Sequence, residues 1–263
     1  MLALERPPRW GLIAIVVLLA ANAALVVLLV QRNAPTPQAT APAAASTNSS
    51  TSPSSPSTSP AGTTSASPTD DASTEPGVLA VYGDGYSSGN SEGGTGAAGW
   101  PALVAQQLGM ELQLSAATLA GYVRPGSTGQ TYPQLVQAQP PTGAGVTVVF
   151  GSRNDVDASP AEVQSAAAQT FQAITAADPE TELLVIGPCW SSADVPAELE
   201  AVASAVQQAA QAAGATYVDP IAQGWFADPA GLVSPIDGIS ILDPGHAYLA
   251  DLIGPLVSAE LAR

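Results

Sequence analysis

Few side chains in this sequence could carry out covalent chemistry. His246 is the only histidine and Cys189 the only cysteine. His246 follows Asp243 with the spacing D-x-x-H, and an imidazole is the usual general base near neutral pH. No cation adjoins Cys189 in sequence to lower the pKa of its thiol, so we interpret it as a small apolar loop residue. We find neither the spacing of a metal site nor a phosphate-binding loop, and we expect no metal and no cofactor.

Short apolar runs alternate with helical segments, and this alternation predicts the elements that must position any site. The predicted strands are 78–82, 112–118, 146–150, 183–186 and 215–218. The predicted helices are 97–108, 160–177, 196–213 and 244–262, of which the second has an N-cap signal at Ser159 followed by Pro160. Nearly continuous apolar strands indicate a parallel sheet that is covered on both faces. The sequence therefore predicts a three-layer α/β/α sandwich with a mainly parallel, five-stranded, flavodoxin-like sheet.

The residues that follow each predicted strand are the candidates for a site. In open α/β sheets, ligands bind beyond the carboxyl ends of the strands. The segments found there are Gly83-Asp84-Gly85, Ala120-Gly121-Tyr122, 151–155, 187–190 and Asp219. We expect Asp84 to cap or brace the first of these loops rather than to do chemistry, and Asn154 and Asp155 could be no more than a turn and a cap.

Four segments, in this order, resemble the blocks of the SGNH (GDSL-type) hydrolase family, and the resemblance covers residues 77–263. Residues 83–89, read as G-D-G-Y-S-S-G, resemble the first block, G-D-S, and Gly121-Tyr122 resembles the second. Residues 151–155, G-S-R-N-D, resemble the third block, G-x-N-D, with one extra residue before the asparagine. Residues 237–240, D-G-I-S, followed by the helix start 245–250, resemble the fifth block, D-x-x-H.

The resemblance implies an ester or acyl hydrolase, but two catalytic positions are substituted. In the family, the first-block serine attacks the carbonyl, the fifth-block histidine takes its proton, and the aspartate orients the histidine. Here the nucleophile position holds Gly85 and the base position holds Ser240, while Asp237 remains as the orienting acid. Gly121 and Asn154 remain at the oxyanion-hole positions, so hydrogen-bonding groups persist without a nucleophile or a base.

Two functions are compatible with this pattern. We expect a protein without hydrolase activity that binds a ligand or partner at the cell envelope, because nucleophile and base are lost together. The alternative is an active esterase or acyl hydrolase that uses Ser87 or Ser88 as the nucleophile with His246. If the protein is not an enzyme, we expect the two serine hydroxyls to belong to turns or caps and His246 to lie at a helix start. A third possibility is a purely structural or adhesive domain with a vestigial pocket.

The N-terminal part of the chain predicts export and attachment to a membrane. Residues 10–31 are almost uninterruptedly apolar and long enough to cross a bilayer, and Arg6 and Arg9 precede them. Positive charge on that side places residues 1–9 in the cytoplasm and the rest of the chain outside it. We interpret 10–31 as a single-pass signal anchor; if it is instead a cleaved signal peptide, the protein is secreted.

Composition separates a stalk from the folded domain and limits the partners. Residues 32–76 consist mainly of Ala, Pro, Ser and Thr and bury too little apolar surface to fold, so we predict a disordered stalk. The chain has a formal net charge of −16 and no lysine, which argues against nucleic acid as a partner. The expected partners are the membrane, through the N-terminal helix, and a cell-envelope ligand such as a glycan or an acylated molecule.

Overall fold

The computed structural model describes residues 77–263. The predicted cytoplasmic N-terminus (1–9), signal anchor (10–31) and stalk (32–76) therefore lie outside the described residues and stay predictions. Within 77–263, no helix combines the length and the apolar character that a membrane crossing requires.

The centre of the domain is a five-stranded sheet in which every strand pairing is parallel. The strands are β1 (Val78–Gly83), β2 (Glu111–Ala116), β3 (Ala144–Phe150), β4 (Glu182–Ile186) and β5 (Thr216–Val218), arranged in the order β2-β1-β3-β4-β5. This is the flavodoxin-like strand order, in which the direction of winding reverses between β1 and β3. The predicted fold class is confirmed.

Helices cover both faces of the sheet. In chain order they are α1 (Gly85–Ser88), α2 (Trp100–Leu108), α3 (Tyr132–Ala138), α4 (Pro160–Ala177), α5 (Ala197–Ala212) and α6 (Asp243–Glu260). Because successive strand residues point to opposite faces, Leu79 and Val81 pack with α2 and α6, while Ala80 and Tyr82 pack with α3, α4 and α5. Two apolar cores therefore sandwich the sheet, as the three-layer prediction requires.

The predicted elements agree with the structure within a few residues, but two short helices have no counterpart among them. Helix α1 is one turn, and α3 has seven residues, too few for a clear apolar period. The capping box of α3, formed by Thr131 and Gln134, is its strongest sequence signal. The N-cap predicted at Ser159 is confirmed, since its side chain accepts a hydrogen bond from the Glu162 N–H at the start of α4.

Candidate functional site

A cavity of about 250 Å³ opens where β1, β2 and β3 end. It is lined by Asp84, Gly85, Tyr86, Asn90, Thr118, Leu119, Arg153, Asn154, Asp237, Ile239 and Ser240. The sheet therefore brings together Gly85, Asn154, Asp237 and Ser240, which the sequence places in three separate blocks. Gly121, the fifth predicted residue, does not line the cavity.

A larger cavity, of about 530 Å³, shares the loop that carries Asp237 and Ser240. Its walls are mostly apolar, and its polar residues are Ser191, Asp228 and Ser234. It does not contact the residues that follow β1, β2 or β3. We assign the site to the smaller cavity because the ends of the parallel strands converge there and supply its polar groups.

The nucleophile position is vacant but has room for a side chain. Gly85 begins α1, and Asp84 caps that helix by accepting a hydrogen bond from the Tyr86 N–H at 2.9 Å. A Cβ atom at Gly85 would lie 3.5 Å from Thr118 Cγ2, which is an ordinary van der Waals distance. The Gly85 N–H has no acceptor among the described residues, so the backbone donor of the first block is retained.

Asp84 is a buried carboxyl that organises the loop after β1. Only 3% of its surface is exposed, and burial raises its pKa to about 6, against the lowering effects of the Tyr86 N–H, Arg153 and Asn154. Asn154 Nδ2 donates to Asp84 Oδ2 at 2.7 Å and to the Ala120 carbonyl at 2.8 Å. Both protons of the Asn154 amide are therefore used within the protein, which leaves its oxygen for a ligand.

The loop after β2 is held in place by Asp155. This carboxylate accepts three backbone hydrogen bonds, from the N–H groups of residues 122, 123 and 124, at 2.7, 3.0 and 2.9 Å. The Gly121 N–H donates to the Arg124 carbonyl at 2.8 Å and so belongs to the loop's own bonding. Leu119 lines the cavity instead, with a φ of 66° and an N–H that has no acceptor among residues 77–263.

At the base position, Ser240 takes the partner that a histidine would have. Its hydroxyl donates to Asp237 Oδ2 at 2.7 Å, and its N–H donates to Asp237 Oδ1 at 2.9 Å. The Ile239 N–H adds a third bond to the same carboxylate at 2.8 Å. These hydrogen bonds, those from Ser240 foremost, lower the pKa of Asp237. The proton of Ser240 is therefore directed at Asp237, and only the oxygen lone pairs remain for a ligand.

The alternative catalytic groups lie apart from the cavity. Ser87 lies within α1 and is 1% exposed, and the Ser88 hydroxyl donates to the Gly89 carbonyl at 3.1 Å. His246 lies in the first turn of α6, 1% exposed, where its Nδ1 accepts a long hydrogen bond of 3.4 Å from the Trp100 N–H. Burial lowers the pKa of His246 to about 4, against a smaller raising effect of Asp243. None of the three residues lines the cavity.

Arg153 is the functional candidate that the sequence reasoning overlooked. It lines the cavity half-buried, its Nη1 donates to the Tyr86 hydroxyl at 3.1 Å, and its guanidinium carbon lies 4.5 Å from the Trp190 ring centroid. The Tyr86 hydroxyl in turn donates to the Ile239 carbonyl at 3.0 Å. The signal was present in the sequence, because Arg153 follows a strand and belongs to the longer third block.

Comparison with known proteins identifies the family of the chain. The profile of the GDSL-like lipase/acylhydrolase family matches residues 81–239. The GDSL lipase Rv0518 of Mycobacterium tuberculosis is 38% identical over 191 residues, which cover 70% of this chain and 82% of that protein.

Solved structures of the same fold include TesA and a carbohydrate esterase. TesA superimposes with a TM-score of 0.56 at 19% identity, over 70% of this chain and 99% of that one. A family two carbohydrate esterase from Clostridium thermocellum, solved in complex with cellohexaose, gives 0.57 at 13% identity, over 72% of this chain and 66% of that one. At these identities the structural likeness concerns the fold alone.

Proposed function

We propose that this chain, which belongs to the GDSL-like lipase/acylhydrolase family, is a member without hydrolase activity that binds a ligand in its strand-end cavity. The observation that carries the proposal is a pair of substitutions at two positions that line the same cavity. Gly85 offers no nucleophile, and the Ser240 hydroxyl donates its proton to Asp237 rather than accepting one. Acyl transfer by this family's mechanism needs both groups.

The geometry of the alternative groups also supports the absence of hydrolysis. A relocated nucleophile would have to reach both the cavity and a base. Ser87 is buried away from the cavity, and Ser88 is bonded to its neighbouring carbonyl. His246 is enclosed at the start of α6 and hydrogen-bonded at Nδ1, so taking up a proton there would place a charge in a buried position.

The cavity keeps the features of a binding site. The Gly85 and Leu119 N–H groups and the Arg153 guanidinium can donate, and the Asn154 and Ser240 oxygens can accept. Such a mixture of donors and acceptors beside apolar side chains suits a small organic ligand. We propose a glycan or an acylated molecule as the source of that ligand, in keeping with the carbohydrate esterase among the structural neighbours.

We also propose that the domain binds its ligand at the cell envelope. The apolar run 10–31 would anchor the chain as a single-pass segment with residues 1–9 in the cytoplasm. The Pro/Ser/Thr-rich stretch 32–76 would hold the domain outside, within about 130 Å of the bilayer if it were fully extended. If the anchor is cleaved, the same domain is secreted.

Labelling with a fluorophosphonate probe tests the proposal. The full chain should neither react with the probe nor hydrolyse short-chain aryl esters, because Ser240, the one serine that lines the cavity, bonds a carboxylate of lowered pKa and not an imidazole. The variants Ser87→Ala and Ser88→Ala serve as matched controls. Labelling that one of these variants abolishes, together with loss of ester hydrolysis in His246→Gln, would establish the active-enzyme alternative instead.

A further inference from the structure

We propose that the cavity recognises a monocarboxylate, whose charged group is held by the guanidinium of Arg153 while its apolar part lies against Leu119 and Ile239. The inference rests on the proposed function, since it names the chemistry of the ligand that the cavity binds.

Arg153 has no carboxylate at ion-pair distance within residues 77–263. Residues 77–263 contain 18 acidic residues and three arginines, so there are enough carboxylates for each arginine to form an ion pair. Within that range the one ion pair is Arg263 with Glu260, at 3.1 Å. Arg124 is exposed to water, whereas Arg153 is half-buried in the wall of the cavity. A half-buried arginine with no carboxylate at ion-pair distance keeps N–H groups free to bind an incoming anion.

The guanidinium of Arg153 is already held in position by two aromatic residues. Tyr86 takes one of its five N–H groups, through the bond from Nη1 at 3.1 Å. The ring of Trp190, whose centroid lies 4.5 Å from Cζ, supports the guanidinium. The hydrogen bonds among the described residues leave the other N–H groups of Arg153 unused. A planar fork fixed in this way matches a carboxylate, which can accept two parallel N–H bonds.

The charged residues that line the cavity are Arg153, Asp84 and Asp237, and they limit the charge of a ligand. Asp237 keeps its negative charge, but its oxygens are occupied by the N–H groups of residues 239 and 240 and by the Ser240 hydroxyl. Buried Asp84 lies close enough to Arg153 for the cation to lower its pKa. Asp84 and Asp237 already set two carboxyls against the one cation, so every further negative charge on a ligand adds repulsion, and a monoanion adds less of it than a dianion. The cavity therefore favours a carboxylate over a phosphate dianion.

The cavity also presents apolar surface to a ligand. Leu119 is 51% exposed and Ile239 is 44% exposed, and both line it. These two large apolar side chains are exposed to solvent next to the Arg153 cation. Such a surface suits a ligand with a charged end and an apolar body. Leu119 also holds a φ of 66°, which is unusual for a branched side chain and is maintained by the surrounding loop.

Calorimetric titration of the full chain tests the inference with three probes at pH 7: hexanoate, hexanamide and inorganic phosphate. Hexanamide has the same apolar body and a carbonyl but no charge. We expect hexanoate to bind at least tenfold more tightly than hexanamide, and phosphate to bind more weakly than hexanoate. Arg153→Gln should weaken hexanoate binding by about 10- to 100-fold and leave hexanamide unchanged. Arg124→Gln removes the same charge from an exposed position and should change neither.

Three results would overturn the inference: equal affinity for hexanoate and hexanamide, tighter binding of phosphate, or no binding of either organic probe. The wild-type comparison between the probes holds even if Arg153→Gln fails to fold, and Arg153→Lys, which keeps the charge but loses the fork, should give intermediate affinity. Equal binding of both organic probes would leave the proposed function intact. Conversely, fluorophosphonate labelling refutes the proposed function whether or not Arg153 selects carboxylates.

Discussion

Restoring the two substituted side chains should produce a weak esterase, and the structure allows its activity to be bracketed. The perturbation is the double variant Gly85→Ser with Ser240→His. A Cβ atom at Gly85 meets Thr118 Cγ2 at 3.5 Å and no backbone atom closer than that, so the serine fits without displacement. Ser240 already bonds Asp237 Oδ2 at 2.7 Å in a half-exposed loop, so a histidine there finds its orienting carboxylate in place.

The oxyanion hole limits the rate that this variant can reach. Both amide protons of Asn154 are donated to Asp84 and to the Ala120 carbonyl, and the Gly121 N–H is donated to the Arg124 carbonyl. Loss of one oxyanion donor costs roughly 10²- to 10³-fold in kcat. With Gly85 and Leu119 supplying the remaining N–H groups, we expect a kcat about 10²- to 10³-fold below that of an intact enzyme of the family, yet above background.

Hydrolysis of p-nitrophenyl butyrate and fluorophosphonate labelling measure the gain. The matched control is Gly85→Ala with Ser240→His, which adds the same Cβ and imidazole but no hydroxyl, and it should be inert. Activity should rise with pH as the new imidazole loses its proton. A double variant that melts like the wild type and yet neither labels nor hydrolyses would refute the placement of residues 85 and 240 in one catalytic constellation.

Two further predictions concern buried groups. Burial lowers the pKa of His246 in the folded state to about 4, against an ordinary value of 6.5. Its contribution to the free energy of unfolding is therefore complete above pH 6.5 and is lost as the pH falls towards 4. The loss amounts to at most about 3 kcal/mol. Denaturant unfolding at several pH values should therefore show a shallower acid loss in His246→Asn, and an unchanged slope would contradict the burial argument. Gly94 and Gly96 both have positive φ, 74° and 60°, but a Cβ at Gly94 would collide with the His246 ring, whereas one at Gly96 meets nothing. Gly96→Ala should cost about 1 kcal/mol in the free energy of unfolding and Gly94→Ala about 3 kcal/mol or more; equal losses would show that φ alone decides.

The sequence predicted the fold well because its strands are continuous apolar runs and its long helices carry clear boundary signals. The runs 146–150 and 183–186 lie within β3 and β4. Short elements carry too few residues for a period to emerge, which is why α1 and α3 were not predicted.

The site was predictable in its location but not in its bonding. Block order grouped Gly85, Asn154, Asp237 and Ser240 into one predicted site, and all four line one cavity. Spacing in the sequence does not reveal which protons are already donated within the protein. The bond from Asn154 to Asp84 joins two segments that are distant in sequence, and the bond from Gly121 to the Arg124 carbonyl depends on how the loop after β2 folds.

The hydroxyl of Tyr86 gives the cavity a fixed frame. It accepts a hydrogen bond from Arg153, beyond β3, and donates one to the Ile239 carbonyl, in the loop before α6. Its ring packs edge-on against Phe150 and Phe226, at centroid distances of 6.3 and 6.4 Å. One buried side chain thus cross-braces three segments that are distant in sequence. A ligand that enters meets walls that are already ordered, so little conformational entropy is lost on association and affinity benefits from preorganisation.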